Sequence, residues 1–119
     1  MDLLHGTTPP TDTVYLERAL LNPVGDDVGH EVVVIGNLTN STASLMGWQL
    51  VDKTHRCTVI GPETIGPGGS LLVPLDGAGA QLGNNGGSLG LLDPGGRPVD
   101  TVAYPATDAV EGRYVRFHR

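Results

Sequence analysis

Two acids, a histidine and a third acid fall within Asp26-Asp27-x-x-His30-Glu31, the densest set of hard ligands in the chain. Calcium needs several carboxylate and carbonyl oxygens converging on one point, and a glycine-bearing loop can supply that convergence. The spacing departs from the twelve-residue calcium loop. Asp26, Asp27 and Glu31 are therefore weak metal candidates, with a solvated hairpin loop as the simpler reading and a cation-dependent binder or small enzyme as the alternative. The histidines His5, His30, His55 and His118 show no short metal-ligand spacing. Gly86-Gly87-Ser88-Leu89-Gly90 matches the G-x-S-x-G pattern of serine hydrolases, which requires a strand before the serine and a helix after it. Here Asn84-Asn85 leads in, and a short apolar run ending at Asp93-Pro94-Gly95-Gly96 follows, so the context fails. Gly77-x-Gly79-x-x-x-Gly83 misses the spacing of a nucleotide-binding loop and has no helix to bring to a phosphate. Cys57 is the only cysteine, which excludes an intrachain disulfide. Its neighbours Thr58, Val59 and Ile60 read as strand, which predicts a buried, inert thiol. No catalytic residue and no cofactor are expected.

The tail Arg113-Tyr114-Val115-Arg116-Phe117-His118-Arg119 is the one locally basic strip. As a strand it sets Val115 and Phe117 against Tyr114, Arg116 and His118, the pattern of an edge strand with a charged outer face. Arg113 and Arg116 are the candidates for an anion or edge contact.

The elements that would position these residues are short. Runs at Val14–Leu21, Glu31–Ile35, Leu45–Asp52, Cys57–Ile60, Ser70–Leu75, Ser88–Leu92, Val99–Tyr104 and Tyr114–Phe117 carry β-branched, aromatic or alternating apolar residues. Gly61-Pro62, Pro67-Gly68-Gly69, Asp76-Gly77, Asn84-Asn85-Gly86-Gly87 and Pro94-Gly95-Gly96 punctuate them. The unbroken run Glu31-Val32-Val33-Val34-Ile35 predicts a strand covered on both faces. At period two Met46, Trp48 and Leu50 share a face, which makes Trp48 a core anchor whose truncation to alanine would cost about 3–5 kcal/mol. The only helical hint is a turn over 107–111. With 18 Gly and 9 Pro in 119 residues, long helices are excluded. About seven to nine short strands predict an all-β antiparallel sandwich in a single domain. The domain is expected over 13–119, preceded by a Thr/Pro-rich leader or linker over 1–12 that lacks the features of a secretory signal peptide. No apolar run is long enough for a transmembrane helix. A net charge of −6 disfavours nucleic acid as a partner.

Five segments occur together in one order: Leu45-x-Gly47-Trp48-x-Leu50-x-Asp52, Pro67-Gly68-Gly69, Leu82-Gly83-Asn84-x-Gly86-Gly87, Leu92-Asp93-x-x-Gly96 and Val99-Asp100-x-Val102-x-Tyr104. Upstream stands Asn22-Pro23-x-Gly25, then Glu31 and Asn37. This arrangement resembles the lamin tail domain family, its bacterial members in particular, over Val14 to Tyr104. The resemblance implies an immunoglobulin-like sandwich and a non-catalytic interaction or accessory module that binds a protein partner or docks a neighbouring domain. Bacterial members often carry an aromatic and an acid where this chain has Val32 and Val34. An uncovered pair of valines there would form an apolar contact patch, and through it a homodimer.

Overall fold

The computed structural model describes residues 13–20, 31–75, 80, 87–104 and 114–117. The helical turn expected over 107–111 lies outside them. The strands are β1 (Val14–Leu20), β2 (Val32–Asn37), β3 (Ala43–Ser44), β4 (Gln49–Asp52), β5 (Cys57–Val59), β6 (Thr64–Ile65), β7 (Ser70–Pro74), β8 (Gly87–Leu92), β9 (Pro98–Tyr104) and β10 (Tyr114–Arg116). One four-stranded sheet runs β10-β1-β2-β7 and the other β5-β4-β8-β9, with a two-stranded β3-β6 ribbon beside them. Every pairing is antiparallel. The protein is thus an all-β sandwich, and among the described residues there is no helix that could cross a membrane.

Alternation sends one residue in two of each strand inward. Leu16, Val33 and Ile35 from the first sheet meet Leu50, Leu89, Leu91 and Val102 from the second in one continuous core. Phe117, just past β10, is fully buried, and its ring stands 6.2 Å from that of Tyr104. The run in β2 is covered on both faces as expected, with Val33, Val34 and Ile35 all sealed from solvent. On its outer face the Tyr15 ring lies over Gly36, where a Cβ would come within 2.6 Å of the ring. Gly36→Ala should therefore displace the tyrosine and lower stability by about 1–3 kcal/mol, measurable by urea unfolding.

Two sequence expectations are corrected. Leu45 to Trp48 is a turn and not the start of a strand: Trp48 N–H donates to Leu45 O at 3.0 Å, and Gly47 at φ +82° fills the position that a type II turn reserves for glycine. The turn breaks the alternation. Met46 is 65% exposed, Trp48 is half-buried at the margin of the core, and Leu45 and Leu50 hold the interior. Cys57 is exposed, because β5 ends its sheet and alternation turns residues 57 and 59 outward.

Polar side chains fix the connections. Buried Asn37 donates through Nδ2 to Ser41 O and Ile65 O, each at 2.9 Å. Its Oδ1 accepts from Thr39 N–H and Oγ1 at 2.9 and 2.7 Å. One asparagine thereby ties the exit of β2 to the β3-β6 ribbon.

The two flanks of the sandwich are closed differently. A register shift between Leu16 and Arg18 marks a bulge in β1, and pairing with β10 begins only at Arg18. Leu38 N–H bonds to Thr13 O, so alternation turns the Leu16 N–H away from β2, to where β10 does not reach. Asp100 of β9 takes it, Oδ2 accepting at 2.8 Å, and stitches the second sheet to the first. On the opposite flank β7 and β5 are both edge strands. There the buried Ala80 donates its N–H to Thr58 Oγ1 at 2.9 Å.

Candidate docking surfaces

The free side of β7 follows from its hydrogen-bonding phase. Leu75 N–H donates to Glu31 O and Asn37 N–H to Gly69 O, so the bonded pairs with β2 fall at residues 75, 73, 71 and 69. The main-chain groups of Ser70 and Leu72 therefore point out of the sheet. Pro74 continues that row but has no N–H, which caps the edge at one end. No described strand pairs with this side of β7. Next to it lies a hollow of about 220 Å³ lined by Ile60, Leu71 and Val73, with Glu63 at its margin. Leu72 is 57% exposed beside it.

Leu72 also settles where the outer face of the first sheet is open. Val34, its register partner, is fully buried, and Val32 is half-buried. Neither valine offers the open patch that alternation alone would give them; Leu72 is the apolar residue a partner can reach there. The edge strand was detectable from its length and turn signals. Its exposure was not, because it depends on what β2 pairs with on each side.

A second depression lies on the outer face of the second sheet, with a volume of about 260 Å³. Val51, Gly90 and Thr101 align across β4, β8 and β9 to form its centre. Leu92 and Pro98 flank one end, and Lys53, His55 and Ser88 border the other. Ser88, the residue of the hydrolase-like pattern, is here a strand residue, and the chain after it continues as strand to Leu92 and, past a turn, as β9.

The remaining candidates are spread apart. Glu31 is described and buried, and its carbonyl takes part in the β2–β7 ladder. Asp26, Asp27 and Arg113 lie outside the described residues, as do His5, His30 and His118. Arg116 sits in β10 at the edge of the first sheet, in register with Arg18. Among the described residues no group of three or more His, Cys, Asp or Glu side chains could hold a metal ion. No family model, no curated protein and no solved structure matches the chain.

Proposed function

We propose that the chain is a non-catalytic interaction module of lamin-tail, immunoglobulin-like type, and that it docks a protein partner or a neighbouring domain along β7. The observation that carries this reading is an edge that no described strand pairs with: outward main-chain groups at Ser70 and Leu72, an exposed Leu72, and an apolar hollow beside them. An extended segment laid against such an edge gains main-chain hydrogen bonds, while an alternate side chain fills the hollow. Glu63 at the margin favours a basic residue on that segment, and the chain's net charge of −6 acts against self-pairing. The lamin-tail resemblance supports the same role, since the residues that carry it are not known catalytic groups in that family.

A photo-crosslinking residue at position 72, in the natural polypeptide within its own cells, tests this. A discrete adduct is expected at 72 and not from the same residue at position 101. An adduct between two copies of the chain would replace the foreign partner with a homodimer. Equal labelling from both positions, or none from 72, would refute docking at β7.

A further inference from the structure

If a segment docks along β7 as proposed above, the geometry of that edge also dictates which residues the segment carries and in which order. Ser70 and Leu72 turn their main-chain N–H and C=O groups away from β2, and Pro74 adds a carbonyl with no N–H. Every described pairing in the fold is antiparallel, and antiparallel pairing is the more stable per residue. A strand added in that sense forms its hydrogen-bonded pairs with residues 70 and 72. Read from its own N-terminus, it stands opposite Pro74, Val73, Leu72, Leu71 and Ser70 in turn.

Period two divides those positions between faces. The residues opposite Val73 and Leu71 point inward, to the hollow of about 220 Å³. That volume is below the roughly 300–1,000 Å³ of sites for drug-sized molecules, so it suits side chains and not a free ligand of that size. Its lining is apolar apart from Glu63, and Leu71 and Val73 already pack against the core. Aliphatic side chains at both positions extend that core outward. The residue opposite Leu72 points outward beside an exposed leucine, and an apolar side chain there covers it.

The last position, opposite Ser70, meets a carboxylate. Glu17 of β1 reaches across β2 to the edge, where it accepts from Ser70 Oγ at 3.1 Å. That bond leaves the carboxylate with further acceptor sites. Glu63, exposed at the hollow, is a second carboxylate nearby. Arg18 and Arg116, the cations of the described first sheet, lie on β1 and β10, on the far side of β2. We infer that β7 receives an extended partner segment of three consecutive aliphatic residues followed by Arg or Lys, antiparallel to β7. The cation binds Glu17 by a charge-assisted hydrogen bond. A second copy fits poorly: its own β7, centred on Leu72, would set Pro74 beside Ser70 and bring a second Glu17 to the same face.

Titration of the isotope-labelled full chain with the peptide Ac-Thr-Val-Leu-Val-Arg-NH2 tests the pattern. The Ser70 and Leu72 amides should become at least about tenfold slower to exchange their hydrogens at saturation. Citrulline in place of arginine, or the same residues in reverse order, should weaken binding about threefold. Glu17→Gln keeps an acceptor for Ser70, so it should fold as the parent does and erase the difference between arginine and citrulline. N-methylation of the peptide leucine, whose N–H faces Leu72, should weaken binding at least about tenfold; N-methylation of the valine after it, whose N–H faces away, should change it less than about threefold. Equal binding of the arginine and citrulline peptides, N-methyl effects in the opposite order, or silence at millimolar peptide would each refute the pattern. Crosslinking from position 72 separates the pattern from docking itself. An adduct to a foreign segment without it would overturn the pattern and leave docking at β7 standing. An adduct within the same polypeptide would assign the edge to the chain's own residues and overturn both.

Discussion

Replacing Phe117 by alanine should lower the unfolding free energy by about 3–5 kcal/mol, the cost of removing a fully buried aromatic and leaving the cavity behind. Phe117 is among the largest side chains that are completely sealed, and it closes against Tyr104 of the opposite sheet. The comparison is Trp48→Ala. Pattern alone assigns that penalty to the tryptophan, but its ring is half-buried at the margin of the core, and it should cost clearly less. Chemical denaturation of the two variants side by side gives the answer. A Phe117→Ala protein that unfolds at the parent's midpoint would mean that the segment after β10 does not complete the core.

The second large effect is expected at Asn37. Asn37→Ala removes both the Nδ2 donor shared by Ser41 O and Ile65 O and the Oδ1 acceptor used by Thr39. Each buried polar group left without its partner costs about 1–3 kcal/mol, so a total loss of about 3 kcal/mol is expected. Asn40→Ala, exposed in the same loop, is the control and should stay within about 0.5 kcal/mol of the parent. If both variants melt alike, the ribbon is held by its backbone pairing and not by the asparagine.

Strand positions were legible in the sequence wherever four or more residues carried a pattern: β1, β4, β5, β7 and β10 fall within the segments so marked, and β2, β8 and β9 overrun theirs by one or two residues. The ribbon strands β3 and β6 were not, since two residues hold no period and their pairing brackets the whole β4-β5 hairpin. Trp48 and Cys57 were misplaced for related reasons. Gly47 turns the chain before alternation can reach the tryptophan, and the outward face of an edge strand looks the same in sequence as the inward face of a central one. The Gly90 depression was beyond reach altogether. It depends on the register that sets Val51 beside Gly90 and Gly90 beside Thr101, while in sequence Ser88 and Gly90 offered only a hydrolase-like pattern in the wrong context.

The stitch at Asp100 bears on time as well as on energy. Its partner, Leu16, is 84 residues away along the chain, whereas the β4–β5 and β8–β9 hairpins close over short loops. Contacts that close long loops carry their entropic cost late, after local pairings have formed. A bond made after the folding barrier leaves the refolding rate almost untouched and is lost on the way out of the native state. Asp100→Asn should accordingly steepen the escape from the folded form while leaving its formation nearly unchanged. By this account the bulge in β1 and the carboxylate that answers it act as a latch, setting how long a folded molecule stays folded.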